Sequence, residues 1–305
     1  MPKALRPRRI LVTGAAGFLA GPLHLEVRRR WPSARVTRTD ARPGPGIRAC
    51  DLLDPDQTRR LVSACRPDLV FHLAGTASPR PPDELWRVHV TATIELMEAL
   101  KRIPGRARVV LSGSSAEYGA AAGMVTERAP SEPVTEYGRS KAAQTLAALS
   151  FRHEGLSVLV ARIFNVSGPG IPASLAPGAF AAQISALGAA GGSILTGNLT
   201  PQRDYLDVRD VASALADIAG FGQDGGIYNV CSGRTVPMRE ILDRLIAASG
   251  LRIVVGRDPA RRRPVDVPRL AGSHARLTAL NGWKPRIPLV RSLADTLVSC
   301  RCSGR

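Results

Sequence analysis

The sequence of 305 residues predicts an α/β protein that is built on a doubly wound parallel sheet. In its first half, short apolar runs of strand length alternate with longer segments of helical periodicity. A glycine-rich turn follows the first apolar run, and an aspartate ends the second. Alternation at these lengths is typical of parallel strands that are covered by helices on both faces. We therefore expect a large sheet domain, followed by a smaller second domain.

The elements of the first half follow from this pattern in chain order. Each predicted strand is an apolar run that stops at a polar or small residue. The strands are "RILVTG", "ARVTRTD", "DLVFHLA", "ARVVLSG" and "LSVLVARIF". The helices between them are Phe18–Arg30, Pro55–Cys65, Glu84–Arg102 and Tyr137–His153. Pro22 lies in the first turns of the first helix, and we expect it to bend that helix or to shorten its start.

The pattern becomes less regular after Asn165, where "GPGIPASLAPG" forms a crossing rich in glycine and proline. Further helices are predicted at Ala176–Leu187, Val208–Ala219 and Met238–Ser249. We place the first domain at residues 1–165 and the second mainly at residues 166–305, with segments near residues 204–230 as candidates for a return to the first. The second domain would close over the carboxyl edge of the sheet, where open α/β sheets bind ligands.

Composition argues against several classes of protein. No apolar run approaches the roughly 20 residues that a membrane helix needs, and the apolar stretch near the N-terminus is too short for a signal peptide. The five cysteines are scattered, and "CRC" near the C-terminus has neither the spacing nor the histidines of a metal site. We expect a cytoplasmic protein without a membrane span, a disulfide framework or a metal.

The formal net charge of +17 is the most unusual bulk property. The basic residues form short clusters, such as "RPRR" and the triplets at Arg28 and Arg261, rather than one stripe interleaved with aromatic residues. A dinucleotide and a diphosphate ligand would engage only a few of these charges. We do not expect nucleic acid as a partner, and the sequence leaves the origin of the charge open.

The glycine-rich turn "VTGAAGFLAG" is related to the dinucleotide fingerprint. Gly14 permits a tight turn, Gly17 allows the backbone to approach a pyrophosphate, and Ala20 is small enough for close packing of helix on strand. Phe18 and Leu19 lead into the helix, whose N-terminus favours an anion. We therefore predict a dinucleotide-binding domain of the Rossmann type, with a mainly substrate-binding domain after it.

Asp40 ends the second strand, about twenty residues after the turn, where a carboxylate accepts hydrogen bonds from the adenosine ribose. A 2′-phosphate would be repelled there, so we favour NAD(H). Arg38 and Arg42 flank this aspartate, which keeps NADP(H) as the alternative.

Two further segments are candidates for contact with the cofactor. Asp51 and Leu52 could meet the adenine, although a carboxylate in this segment could equally cap the next helix, as Asp54 would. The end of the third strand could also lie against the cofactor. Its candidate residues are Leu73, Ala74 and Gly75.

"EYGRSK" places Tyr137 four residues before Lys141. On a helix, these two side chains share a face and can approach one ligand together. A nearby ammonium favours the phenolate and lowers the tyrosine pKa from its usual value of ~10. An isolated pair at this spacing could equally be a solvated helix face.

Seven motifs together resemble the extended short-chain dehydrogenase/reductases, which act on nucleotide-diphosphate sugars. They are "TGAAGFLAG", "HLAG", "SGSSAEYG", "EYGRSK", "ARIFNVSGPG", "QRDYLDVRDV" and "GWKP", in the order and spacing of that family. The resemblance implies that Tyr137 is the acid/base and that Lys141 binds the nicotinamide ribose. It also implies a serine that binds the reacting oxygen, which we place at Ser114, with Ser112 and Ser115 as alternatives.

The resemblance further implies contacts with the substrate. Asn165 corresponds to a residue near the diphosphate, and Arg203 and Arg263 correspond to arginines that hold the phosphates. A guanidinium pairs well with phosphate, although a surface salt bridge is the alternative for each arginine. His89 stands where many members have asparagine, and we expect it to be structural.

The family's sugar dehydratases carry an acidic pair after the catalytic hydroxyl, whereas Ser115 and Ala116 occupy those positions here. We therefore do not expect 4,6-dehydratase activity.

Among the subgroups, the chain most resembles the GDP-4-keto-6-deoxy-mannose reductases. This implies NAD(P)H-dependent reduction of a C4 ketone, with a nucleotide-sugar 4-epimerase as the alternative and a non-catalytic cofactor-binding protein as the third interpretation. The resemblance also implies a homodimer, formed through the helices Glu84–Arg102 and Tyr137–His153.

Overall fold

The structure, a computed structural model, describes residues 5–76, 80–121, 123–261 and 267–303. Its strands are β1 (Arg9–Thr13), β2 (Arg35–Asp40), β3 (Arg48–Ala49), β4 (Leu69–His72), β5 (Arg108–Ser114), β6 (Met124–Val125), β7 (Ser157–Ile163), β8 (Asn165–Ser167), β9 (Gly192–Thr196), β10 (Gln202–Asp207), β11 (Ile227–Val230), β12 (Thr235–Pro237), β13 (Ile253–Arg257) and β14 (Arg269–Gly272). Its α-helices are α1 (Ala20–Arg30), α2 (Pro55–Cys65), α3 (Pro82–Trp86), α4 (Ala92–Lys101), α5 (Glu136–Ser150), α6 (Ala176–Ser185), α7 (Val208–Phe221), α8 (Met238–Ser249), α9 (Ala275–Asn281) and α10 (Leu289–Ser303).

Seven strands form the main sheet in the order β11-β7-β5-β4-β1-β2-β3. Every neighbouring pair in it is parallel. The direction of winding reverses between β1 and β4, and the carboxyl ends of these two strands therefore border a crevice of the kind that binds ligands. The predicted α/β class and parallel sheet are confirmed.

Helices cover both faces of the main sheet. The core on one face includes residues of α1, α7 and α9, and the core on the other includes residues of α2, α4 and α5. Strand β1 shows the alternation that this requires, because Ile10 and Val12 belong to the first core and Leu11 to the second. A central strand buried on both faces explains the unbroken apolar run in the sequence.

The remaining strands, which are β6 and most of those after β7, lie outside the main sheet. The order β12-β10-β14-β6, with β8 beside β10, makes a second sheet, and β13 pairs with β9 separately. Helices α6, α8 and α10 share a third apolar core. Because β11 belongs to the main sheet, the chain leaves that sheet after β7, returns for α7 and β11, and leaves again. The division into two domains at residue 165 stays a prediction.

Two elements differ from the sequence prediction. Helix α1 begins at Ala20 rather than Phe18, so Pro22 is its third residue. Backbone N–H groups in the first turn have no partner within the helix, and proline is therefore accommodated there without a break.

The predicted helix Glu84–Arg102 is instead three segments, since a π-helical turn at Arg87–Thr91 separates α3 from α4. The hydroxyl of Thr93 donates a hydrogen bond to the carbonyl oxygen of His89, at a distance of 2.5 Å. This carbonyl group belongs to the wider π-helical turn, and the hydroxyl serves as one of its hydrogen-bond donors. Within the ranges given above, no helix combines the length and the apolarity needed to cross a membrane.

Candidate active site

The predicted site residues collect where β1, β4 and β5 end. These strands are parallel neighbours, so their carboxyl ends meet at one edge of the sheet. The glycine-rich turn follows β1, the segment Leu73–Gly75 follows β4, and Ser114 is the last residue of β5. Helix α5 packs against β5 and brings Tyr137 and Lys141 to the same edge.

Gly14 is required by the close approach of two chain segments. Its φ is +68°, a left-handed conformation, and a Cβ at this position would lie 2.6 Å from the backbone nitrogen of Ala74 and the carbonyl carbon of Leu73. A Cβ at Gly17 would lie 3.0 Å from the carbonyl oxygen of Gly14. Leu73 and Ala74 therefore lie directly against the turn.

The N-terminus of α1 carries no side chain that would compete with a bound anion. No side chain caps it, its first turn has no acidic residue, and its arginines are confined to the last turn. Phe18 and Leu19 are half-buried in the approach to the helix. A narrow backbone cradle beside an uncapped helix N-terminus fits the pyrophosphate of a dinucleotide.

Asp40 connects the glycine-rich turn to the end of β2. Its Oδ2 accepts a hydrogen bond from the backbone nitrogen of Ala16 at 3.0 Å, and its Oδ1 accepts one from the backbone nitrogen of Arg42 at 3.0 Å. The side chain of Arg42 is mostly exposed, with its Nε 3.7 Å from the same carboxylate. The carboxylate of Asp40 and the guanidinium of Arg42 thus lie side by side at the position predicted for the adenosine ribose.

The two remaining cofactor candidates differ in surroundings. Asp51 is exposed and accepts a hydrogen bond from the backbone of Leu53 at 2.9 Å, whereas Leu52 is buried. The cap of α2 is Asp54, which accepts from the backbone nitrogens of Asp56 and Gln57. Asp51 is therefore not the helix cap, and its role stays a prediction.

Tyr137 is placed by the start of α5. Thr135 caps this helix and accepts a hydrogen bond from the backbone nitrogen of Gly138 at 3.0 Å. A Cβ at Gly138 would lie 2.5 Å from the carbonyl oxygen of Ala116, so the helix packs tightly on the turn after β5. The half-buried Tyr137 consequently comes close to Ser114, whose side chain acts to lower the pKa of the phenol.

The sequence predicted a lowered pKa for Tyr137, and this was wrong. Burial raises the pKa of the phenol and the charge of Glu117 raises it further, whereas the hydrogen bond with Ser114 opposes both. Removal from water disfavours the phenolate more than the surroundings favour it. The phenol therefore keeps its proton at neutral pH.

Lys141 is buried, with 4% of its surface exposed. Its ammonium donates to the carbonyl oxygen of Ser112 at 2.5 Å and to Oε1 of Gln144 at 2.6 Å. Burial lowers the pKa of Lys141 to about 8, although the charge of Glu117 acts in the opposite direction. An ammonium has three donors, and the described part of the chain engages two of them, which leaves one for a ligand.

The alternatives to Ser114 are less well placed. The hydroxyl of Ser112 donates to the carbonyl oxygen of His72 at 3.0 Å. Ser115 begins a short 3₁₀ turn that Ser114 caps. Ser114 is thus the serine whose side chain affects the pKa of the phenol.

Glu117 and Arg162 form a buried ion pair that the sequence analysis missed. The carboxylate accepts from Arg162 Nε at 2.9 Å and from the backbone nitrogen of Ser114 at 2.8 Å. Arg162 also stacks on the ring of Tyr118, with 4.5 Å between its central carbon and the ring centroid. An arginine inside the apolar strand "SVLVARIF" was the available signal, because a buried charge requires a partner.

His89 is structural, as its contacts indicate. One ring nitrogen meets the hydroxyl of Ser140 at 2.9 Å, and the other lies 3.2 Å from the backbone nitrogen of Thr76. Its ring also packs edge-on against Tyr137, with 5.6 Å between ring centroids. Burial and the charge of Lys141 lower the pKa of His89 to about 3, so the ring is neutral.

The predicted substrate residues are only partly brought together. Asn165 in β8 donates to the backbone oxygen of Asp204 at 3.3 Å, and Arg203 in β10 donates to the backbone oxygen of Gln202 at 3.0 Å. Strands β8 and β10 are neighbours, so both residues belong to one small sheet. Arg263 lies outside the described residues.

Among the residues that the structure describes, no group of histidine, cysteine, aspartate and glutamate side chains could hold a metal ion. All five cysteines are free thiols.

Comparisons with known proteins agree with this geometry. The family model described as "NAD dependent epimerase/dehydratase family" matches residues 10–231. GDP-6-deoxy-D-mannose reductase from Pseudomonas aeruginosa is 35% identical over 95% of this chain and 96% of its own length. UDP-glucose 4-epimerase from Azospirillum brasilense is 29% identical over 91% of this chain and 87% of its own length. The structure of RMD from Pseudomonas aeruginosa complexed with NADPH has a TM-score of 0.84 and 31% identity, covering 97% of this chain and 99% of that one.

We predict that Gly14→Ala weakens both the fold and cofactor binding. The added Cβ meets the backbone after β4, and a left-handed conformation costs a non-glycine residue about 1–3 kcal/mol. Thermal unfolding and fluorescence titration with the dinucleotide measure the two effects. Gly220→Ala is the control, because a Cβ there has no neighbour within 4 Å. Equal behaviour of the two variants would contradict the role given to Gly14.

We also predict that Glu117→Gln destabilises the fold by about 3–5 kcal/mol, because Arg162 would remain buried without its counter-charge. Urea unfolding measures the loss. Glu136→Gln serves as the control, since Glu136 pairs with Arg139 at the exposed start of α5 and exposed pairs contribute about 0–1 kcal/mol. A loss no larger than that of the control would show that the buried pair is not needed.

Proposed function

The chain belongs to the NAD-dependent epimerase/dehydratase family, the extended short-chain dehydrogenase/reductases that its motifs predicted, and we propose that it reduces the C4 ketone of a GDP-linked 4-keto-6-deoxy sugar. It is an NAD(P)-dependent enzyme of the oxidoreductase/epimerase type. The observation that carries the proposal is the meeting of Ser114, Tyr137 and the buried Lys141 where β5 ends against α5, with the Lys141 ammonium bonded to the carbonyl oxygen of Ser112. The similarity to GDP-6-deoxy-D-mannose reductase supports the choice of substrate class.

The reaction assigns one task to each of these side chains. The bound nicotinamide dinucleotide supplies the hydride for the ketone carbon. Ser114 donates a hydrogen bond to the ketone oxygen, and Tyr137 delivers the proton to that oxygen as negative charge develops there. Lys141 holds the nicotinamide ribose through its remaining N–H. The raised pKa of Tyr137 suits reduction, because the phenol must carry its proton when the ketone arrives.

The nucleotide sugar is proposed to extend from this pocket toward the smaller sheet. Asn165 and Arg203 lie on the neighbouring strands β8 and β10 and would contact the diphosphate. Arg263 is assigned to the same task on the sequence alone. Paired guanidinium groups match the geometry of phosphate oxygens. Residues 1–165 would then bind the dinucleotide and residues 166–305 mainly the sugar nucleotide.

For the cofactor, we propose NAD(H) in preference to NADP(H). The carboxylate of Asp40 stands at the end of β2, where it would accept from a ribose hydroxyl and repel a 2′-phosphate. Arg42 beside it is the reason that NADP(H) stays the alternative, and a structural neighbour was solved in complex with NADPH.

A 4-epimerase is the second candidate, supported by the similarity to UDP-glucose 4-epimerase. The same residues would then remove and return the proton of the C4 hydroxyl within one cycle, while the retained dinucleotide would take up and return the hydride. A non-catalytic cofactor-binding protein is the third, and the complete set of serine, tyrosine and lysine argues against it.

The five free cysteines support a reducing, cytoplasmic location.

A homodimer is proposed on the face formed by α3, α4 and α5. Trp86, Ile94 and Leu146 are large apolar side chains exposed on these helices, which pack against one another. Exposed apolar groups on adjacent helices are typical of an interface. Because α3, the π-helical turn and α4 follow one another without a gap, they count as one helical rod beside α5, and pairing of this face with its copy would produce a bundle of four rods.

We predict that Leu146→Glu yields a monomer, because a carboxylate would be buried in the proposed interface. Light scattering after size exclusion measures the mass. Leu25→Glu is the control, since Leu25 in α1 is 73% exposed and Leu146 is 71% exposed. The interface is disproved if both variants keep the mass of two chains.

We predict that the purified protein consumes one reduced dinucleotide per molecule of GDP-4-keto-6-deoxy-mannose, followed by absorbance at the NADH band with each cofactor in turn. Tyr137→Phe should retain cofactor affinity and lose turnover by at least about 10²-fold. Conversion of UDP-hexoses without net loss of NADH would identify the epimerase instead. Normal turnover in Tyr137→Phe would contradict the mechanism.

A further inference from the structure

A line of buried hydrogen bonds connects Lys141 to the glycine-rich turn. It begins at the ammonium, which donates to Gln144 Oε1, and Gln144 Nε2 donates to Thr93 Oγ1 at 2.9 Å. His72 Nε2 lies 2.9 Å from the same Thr93 oxygen, and His72 Nδ1 lies 2.7 Å from Thr13 Oγ1. Gln144, Thr93, His72 and Thr13 are all fully buried. These four residues, called the Gln144 chain here, belong to α5, α4, β4 and β1.

One contact fixes the direction of every proton in the Gln144 chain. Thr93 Oγ1 lies 2.5 Å from the carbonyl oxygen of His89, so the hydroxyl proton of Thr93 must lie between them. The Thr93 oxygen can then only accept from its other partners. His72 therefore carries its proton on Nε2, and Thr13 donates to His72 Nδ1. Thr13 Oγ1 in turn accepts from the backbone nitrogen of Ala74 at 3.3 Å.

The same argument fixes the amide of Gln144. Its NH₂ group must face Thr93, because the oxygen of Thr93 has only acceptor sites left on that side. Its Oε1 must therefore face Lys141. A carbonyl oxygen aimed at a buried ammonium stabilises the charged form, and the reverse orientation would repel it.

We propose that Gln144 is a positioning residue of the reaction: its amide oxygen holds the Lys141 ammonium in place and in its charged form, and the chain behind it keeps that oxygen oriented. This inference rests on the proposed function, because the place of Lys141 matters only if it serves the cofactor. The opposite end of the chain meets the backbone of Ala74, which lies against Gly14. The two parts of the site that would hold one dinucleotide are thereby tied together.

The charged and titratable groups around Lys141 come from four elements. Glu117, in the turn after β5, raises the pKa of Lys141. His72 and His89 each have a pKa of about 3 and stay neutral. Tyr137 lies one turn earlier on α5 and keeps its proton. Gln144 is thus the residue whose uncharged side chain directly contacts the ammonium. Substitution of Gln144 can therefore change the charge state of Lys141.

The sign of the expected effect follows from the pKa of Lys141, which burial lowers to about 8. The ammonium is present below this pH and is lost as the pH rises through it. Gln144→Glu places a negative charge in contact with the ammonium and should raise the pKa of Lys141 by at least about one pH unit. Gln144→Met removes the acceptor, keeps the volume and should lower it.

The test is a direct titration of the lysines by NMR without substrate. The chain has only four lysines, Lys3, Lys101, Lys141 and Lys284, and Lys141→Arg identifies the resonance that belongs to Lys141. Gln223→Glu, beyond the end of α7, is the control for the added negative charge. We expect the Lys141 titration to move upward in Gln144→Glu, downward in Gln144→Met, and not at all in the control.

A second measurement examines the Gln144 chain itself. Thr93→Val removes the hydroxyl at equal volume and should let the amide turn, so the pKa of Lys141 should fall. Thr93→Ser restores the hydroxyl and should restore the titration, which a purely structural role of Thr93 would not require. The alkaline limb of the kcat profile should move in the same direction as the titration in each variant.

The two proposals fail separately. A Lys141 titration that is the same in wild type, Gln144→Glu and Gln144→Met overturns the role of Gln144, whether or not the keto sugar is reduced. A titration that shifts as expected, together with no reduction of any 4-keto sugar nucleotide, supports the role of Gln144 in setting the charge and overturns the proposed function alone.

Discussion

The site depends on keeping one ammonium inside a protein core. Lys141 is buried, and burial alone would favour the uncharged amine, although the charge of Glu117 acts in the opposite direction. Two carbonyl oxygens, one from the end of β5 and one from Gln144, offset part of that cost. Their positions depend on the parallel pairing of β4 with β5 and on the packing of α5 on β5. The charged state of Lys141 therefore depends on both the sheet and helix α5.

Much of this could be predicted from the sequence. The α/β class followed from the alternation of strands and helices, because a parallel sheet leaves a strong pattern of period and length. The turn at Gly14 followed from its spacing, since only a residue without Cβ can approach the backbone of Ala74 so closely. The grouping of Ser114, Tyr137 and Lys141 followed from the family motifs, and the structure brings these residues to one edge of the sheet.

Other features could not be predicted from the sequence, because they depend on burial and on contacts between distant elements. The pKa of Tyr137 was predicted from a neighbouring charge alone, whereas burial has the larger effect, and burial is a property of the fold. The π-helical turn before α4 has no signature of its own, because its residues Arg87–Thr91 continue the helical pattern of the flanking segments. Gln144 and His72 look like ordinary interior residues in the sequence, and only their contacts across three elements reveal a shared hydrogen-bond chain.

The strand order has a consequence for synthesis on the ribosome. The main sheet ends in β11, which begins at Ile227, whereas its neighbour β7 ends at Ile163. Domains generally acquire structure from the N-terminus as the nascent chain emerges. A sheet that formed during synthesis would therefore present β7 as an unpaired edge until α7 and β11 have been translated, and an unpaired edge is a template for aggregation.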